Sequence, residues 1–138
     1  MEELNQFVIE NKVMKSNHLI NEEMLIEAEK TLGVKFGKEL TEYLRKYGYL
    51  ICKGVELYGM NPNQFLDSDI ITQTIYLHKY FPDTIHYVAL ENQGEGDYFL
   101  VDSEDDVYEF VSEQGKIITT GLKMFAYIIK RFRTAINK

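Results

Sequence analysis

The sequence predicts an α+β fold, a mostly antiparallel sheet covered by helices, and three observations predict it. Apolar residues recur at helical spacing through the first half of the chain and again at its end. Between Tyr87 and Val111 that period gives way to short β-branched and aromatic runs, and Gly, Asp, Glu and Ser separate those runs at hairpin spacing. The 138 residues suit one domain spanning 1–138, with roughly two-thirds of the extended-chain surface buried on folding. No internal repeat, low-complexity linker or domain boundary interrupts it.

Residues 4–13 read as an amphipathic first helix, a cover packed on the body with Leu4, Phe7, Val8 and Met14 inward, and residues 15–20 as a connector. Asn21 before Glu22 and Glu23 supplies an N-cap and then negative charge in the first turn, so a second helix starts there. Leu25, Ala28 and Leu32 form its stripe, and Gly33 stands where a left-handed C-terminal residue belongs. The link Val34-Lys35-Phe36-Gly37 must turn sharply, with Val34 and Phe36 inward. Leu40, Tyr43, Leu44 and Tyr47 stripe a third helix that Gly48 stops.

Residues 50–58 read either as a strand pair or as one strand bent at Lys53-Gly54, and Asn61-Pro62-Asn63 is turn chemistry. Residues 70–80 suggest a fourth helix with Ile71, Ile75, Tyr76 and Leu77 as its apolar set, ending near Phe81-Pro82. Residues 87–90, 97–101 and 107–111 then form an antiparallel meander, with Gly94-Glu95-Gly96 as a hairpin turn and residues 117–119 as a last short strand. Residues 122–136 close the chain as a helix, with Phe125, Ile128, Ile129 and Phe132 inward and Lys123, Lys130, Arg131 and Arg133 toward water.

Composition excludes several function classes. A formal net charge of -7 disfavours nucleic acid as partner, because that binding rests on phosphate neutralisation by Lys and Arg; a basic partner suits the chain better. The first residues, MEELNQFVIENKV, lack a basic region followed by a continuous apolar core, and no run approaches the roughly 20 apolar residues that span a bilayer. A cytosolic location without membrane contact is the expectation, and the lone Cys52 in an apolar run reads as an ordinary buried cysteine.

The catalytic inventory is thin. His18, His78 and His86 are scattered without metal spacing, no glycine-framed serine nucleophile occurs, and Gly94-Glu95-Gly96 precedes a strand instead of the helix a phosphate loop needs. Asp102, Glu104, Asp106 and Glu113 imitate calcium-loop spacing, but Val107 stands where that loop requires glycine. No catalytic, cofactor or metal residue is therefore assigned.

Charge is distributed unevenly. No Lys or Arg falls between Lys79 and Lys116, whereas Asp83, Glu91, Glu95, Asp97, Asp102, Glu104, Asp105, Asp106, Glu109 and Glu113 all do. Two readings stand: a solvated sheet face that blocks edge aggregation, or a negative patch that steers a basic partner. Tyr47, Tyr49 and Tyr58 cluster around the central turn and are either core-edge residues or an interface centre. Glu56 between them either accepts a partner's hydrogen bond or caps local backbone.

The string E-A-E-x-x-L-G-V-K-F-x-x-E-L-x-E-Y-L-x-K-Y-G over residues 27–48, followed by G-V-E-L-Y-G at 54–59, resembles the SMI/KNR family of the SUKH superfamily. The resemblance is specific over residues 25–59 and looser through residues 85–102 and the final helix. It implies an α+β fold and, from the role given to most bacterial members, a cytosolic immunity protein that occludes the toxic domain of a polymorphic toxin by stoichiometric binding, without turnover. The yeast members imply the alternative, a regulatory scaffold on a cellular enzyme of cell-wall synthesis. Because many such toxins are nucleases with basic surfaces, the resemblance favours the patch reading. It makes Glu91, Glu95, Asp97, Asp102, Glu104, Asp105 and Asp106, with Tyr47, Tyr49, Glu56 and Tyr58, the candidate partner contacts. One departure is visible: the family usually has proline where this chain has Gly37, so a less sharply started helix is expected there.

Overall fold

The computed structural model describes residues 1–60 and 68–138; the Asn61-Pro62-Asn63 turn lies outside the described residues. Helix α1 (Glu2–Glu10) and strand β1 (Met14–Lys15) lead into α2 (Glu22–Leu32) and α3 (Lys38–Tyr47). The hairpin β2 (Leu50–Cys52) and β3 (Val55–Leu57) follows, then α4 (Ile70–Tyr80) and a single 3-10 turn at Pro82–Thr84. The meander β4 (Val88–Gly94), β5 (Asp97–Val101), β6 (Asp106–Val111) and β7 (Lys116–Lys123) precedes α5 (Met124–Ile136). These strands make two antiparallel sheets, of order β1-β2-β3 and β4-β5-β6-β7, so the α+β expectation holds.

The local signals act as the sequence implies. Asn21's side chain accepts the Met24 N–H at 2.9 Å, and Gly33 ends α2 at φ 68°. Val34 and Phe36 are both buried at the turn into α3, whose inward stripe is Leu40, Tyr43, Leu44 and Tyr47. Residues 50–58 resolve into the strand pair, with Cys52 opposite Val55 and Lys53 and Gly54 in the positive-φ turn.

Three expectations fail for physical reasons. Met14 is exposed because it has left the helix to pair with Ile51 in β1, and Val13 fills the core instead. On α4 the inward arc is Ile70, Thr74 and Leu77, so Ile75 and Tyr76 point outward; the Thr74 hydroxyl is recruited to accept the edge N–H of Ala89 at 3.0 Å. The last strand is long, not short, spanning Lys116–Lys123.

The two sheets meet where the Tyr58 N–H donates to the Leu90 carbonyl at 2.7 Å, a contact held from behind by the Tyr43 hydroxyl on the Tyr58 carbonyl at 2.8 Å. Gly59 is obligatory beside it, since a Cβ there would sit 1.7 Å from the Gly48 carbonyl oxygen. Helix α5 lies across both sheets and packs on α1 and α3, with Ile128 and Phe132 wholly buried and Phe7 stacked on Phe132 at 6.5 Å.

A closed ring of caps ties the helices to the meander. Asp105, in the β5–β6 turn at φ 66°, accepts the N–H groups of Glu39 at 2.9 Å and Leu40 at 3.1 Å, the open N-terminus of α3. Glu39 in turn accepts the Phe125 N–H of α5 at 2.8 Å, and the Met124 N–H returns to the Asp105 carbonyl at 3.0 Å. This explains Gly37: it is the N-cap position of α3 but has no capping side chain, and a Cβ there would lie 2.3 Å from Asp105 Oδ1. The helix is started sharply after all, by a carboxylate from the sheet.

Gly37→Pro is therefore expected to cost about 1–3 kcal/mol through that overlap. The cost should shrink in an Asp105→Ala background, where the obstructing carboxylate is gone. A double-mutant cycle by urea denaturation checks this, and simple additivity would contradict the overlap.

Candidate functional site

The hairpin β2–β3 and strand β4 enclose a polar groove of about 460 Å³, lined by Glu56, Tyr58, Ser68, Asn92, Gln93 and Arg131. Its floor is an ion pair between Glu91, expected in the solvated face or partner patch, and Arg131, expected toward water. A register shift between Ala89 and Glu91 breaks the strand's alternation, so Glu91 stands opposite Phe99, on the face packed against α5. Only 2% exposed, Glu91 accepts from Arg131 Nε and Nη2, both at 3.0 Å, and from the Tyr127 hydroxyl. Burial, reinforced by the charge on Glu91, pushes the Tyr127 hydroxyl far above the usual phenol range, which keeps it a donor. Arg131 is thus half-buried and paired, not solvated.

Negative charge gathers at this groove and at the adjoining end of the meander. Glu56 is exposed on β3, with the Ser68 hydroxyl 3.4 Å from its carboxylate, and Glu95 is exposed in the β4–β5 turn with Asp97 half-buried beside it. A Cβ on Gly96 would lie 2.5 Å from Ser112 Oγ, so the β4–β5 and β6–β7 turns touch and Glu113 joins the same end of the sheet. Gln93 reaches across to Glu109 at 3.0 Å.

The acidic residues of the interval do not form one patch. Those of the β5–β6 turn lie at the opposite end of the meander and are largely committed to the fold. Asp102 accepts the N–H groups of Glu104 and Asp106 at 2.9 and 3.0 Å and the Tyr108 hydroxyl at 3.1 Å. Asp105, 6% exposed, caps α3, and Asp106 pairs with Lys123 at 3.0 Å. Glu104 keeps its carboxylate exposed while its carbonyl accepts from Lys123 Nζ. The calcium-like spacing is thus split: Asp102 accepts from backbone and a phenol, Asp106 pairs with Lys123, Glu104 is exposed, and Glu113 lies at the other end of the sheet; among the described residues no group of three or more His, Cys, Asp or Glu could hold a metal ion.

Tyrosines are redistributed as well. Tyr47 and Tyr58 are buried, Tyr47 donating to Asn5 Oδ1, and Tyr49 is half-buried, so the expected cluster belongs mainly to the core. The exposed pair is Tyr76 and Tyr80, at 45% and 58%, with ring centroids 5.0 Å apart and the Lys79 ammonium 5.3 Å from the Tyr80 ring. Burial first, and the neighbouring Tyr76 second, push the Tyr98 hydroxyl up. Tyr98 alternates with Phe99, so this tyrosine surface belongs to the α4 face of the meander, across the sheet from the Glu91–Arg131 pair. The i, i+4 spacing of Tyr76 and Tyr80 away from the Ile70, Thr74, Leu77 arc is the signal in the sequence, hidden because apolar residues occur on both faces of α4.

The family profile described as SMI1-KNR4 cell-wall, SUKH_5, matches residues 1–129. The chain belongs to the SUKH_5 family. No curated protein matches it in sequence. The matched span carries Glu56, the whole meander and the cap ring of this SUKH_5 member, whereas Arg131, the partner of Glu91, lies beyond it. No helix among the described residues is long and apolar enough to cross a membrane.

Proposed function

We propose that this SUKH_5 protein is a cytosolic immunity protein that binds the toxic domain of a polymorphic toxin and occludes it, one molecule to one, without turnover. The observation that carries the reading is the groove: Glu56 exposed on its wall over the buried Glu91–Arg131 pair, with Glu95 next to its lining residue Gly94 and Asp97 and Glu113 at the same end of the meander. Such a surface complements a basic domain, for example that of a nuclease. The carboxylates accelerate encounter and fix register.

Steering by exposed charge weakens as salt rises, since screening acts over about 8 Å at physiological ionic strength. Glu56→Lys with Glu95→Lys is expected to lower the association rate by about tenfold at low salt, with a smaller change in dissociation rate. Stopped-flow binding to a toxin domain encoded directly upstream of this gene measures both; an unchanged association rate would sink the steering. Asp105 and Asp106 are unsuited to this test because they hold the fold.

The family's cell-wall designation favours a second reading, a regulatory scaffold that holds a wall-synthesis enzyme. A gene lying away from any secreted toxin, with a wall enzyme captured in equimolar amount, would favour it over immunity.

A further inference from the structure

We propose that the face opposite in charge, a groove between α1 and α5, is a second binding site that takes a short acidic segment of a partner protein with an apolar anchor. The groove is the larger of the two, about 690 Å³. Leu4, Phe125, Ala126 and Ile129 give it an apolar floor, and Lys130 and Arg133 stand exposed on its rim. The Arg133 guanidinium sits 5.6 Å from the Phe7 ring centroid, so the fold holds this cation in place.

Charge identifies the occupant. Beyond Glu113 the chain carries no acidic residue, while Lys116, Lys123, Lys130, Arg131, Arg133 and Lys138 are all basic, in a protein whose net charge is -7. Lys116 and Lys123 lie on β7 and Arg131 is consumed by Glu91, which leaves Lys130, Arg133 and Lys138 facing this groove. An apolar floor edged by lysine and arginine fits carboxylates flanking a leucine or phenylalanine. A nucleic acid fits worse, because the apolar floor of Leu4, Phe125, Ala126 and Ile129 suits a leucine or phenylalanine side chain and offers nothing to a sugar-phosphate backbone.

The site is distinct from the acidic groove and does not depend on the immunity reading. The test is an amide-shift titration of the isotope-labelled full chain with a synthetic amphipathic peptide bearing Glu on one helical face and Leu and Phe on the other. A Gln-for-Glu version and a single-stranded DNA oligonucleotide serve as competitors. Saturable shifts at Leu4, Ala126, Ile129 and Lys130 are expected with the acidic peptide alone. In the Lys130→Glu, Arg133→Glu chain the Kd should rise at least about tenfold with the melting temperature retained. Absence of saturable shifts there, equal binding of the Gln peptide, equal shifts with DNA, or full binding by the reversed chain would each overturn the proposal.

Discussion

Replacing Glu91 with alanine is expected to destabilise the protein by about 3–5 kcal/mol, the cost of stripping one partner from a buried, hydrogen-bonded charge pair. The loss has three parts. Arg131 keeps its charge in a half-buried position with no counter-ion, the Tyr127 hydroxyl loses its acceptor, and a void opens under β4 where the two sheets meet. Removing both charges together, as in Glu91→Leu with Arg131→Met, should cost far less, because apolar groups of similar volume can replace a buried pair. Urea denaturation followed by circular dichroism measures each variant. A single-mutant cost below about 1 kcal/mol would mean that solvent reaches the pair and that the groove has no rigid floor.

The second large effect belongs to Asp105. Asp105→Ala removes a charged cap from α3 and leaves the N–H groups of Glu39 and Leu40 without their acceptor, while placing alanine at φ 66°. A cost of about 2–4 kcal/mol is expected, above that of an ordinary exposed cap because Leu40 is fully buried. The damage should spread along the ring of caps: amide exchange is expected to quicken at Phe125, whose N–H depends on Glu39, as well as in α3. Faster exchange confined to the β5–β6 turn would contradict the ring. Asp105→Asn, which keeps one acceptor but no charge, should fall between.

Both residues show where sequence reasoning stopped. Elements with strong local signals were legible: the Asn21 cap, the Gly33 stop, the stripe of α3 and the hairpin turn at Gly94-Glu95-Gly96 depend on residues a few positions apart. Glu91 and Asp105 read, with the rest of the acidic interval, as part of a solvated sheet face or a negative patch. A register shift in β4 redirected the first, and the second serves a helix 65 residues away in sequence. Arg131 was read as solvated for the same reason, its partner lying 40 residues earlier. At Gly37 the sequence shows only a missing stiffening proline, because the Asp105 carboxylate that occupies the place of a Cβ comes from far along the chain.

The candidate site was legible in kind more than in place. Acidity of the 79–116 interval is plain in the sequence, but hairpin connectivity divides it between two ends of the sheet. One end holds the exposed Glu95 and Glu113, and the other spends Asp102, Asp105 and Asp106 on turns, a helix and Lys123. Tyrosine abundance was likewise visible, yet which rings reach the surface depended on the face α4 turns inward.

The central claim is met most directly by growth rescue. A toxin domain encoded directly upstream of this gene is expressed in a susceptible host alone, with this protein, and with its Glu56→Lys, Glu95→Lys variant, and the complexes are sized by light scattering. Full rescue with a one-to-one complex, and clearly weaker rescue by the variant at equal abundance, is the predicted result. No rescue and no complex with the unaltered protein would contradict immunity, and equal rescue by the variant would contradict the groove as its site.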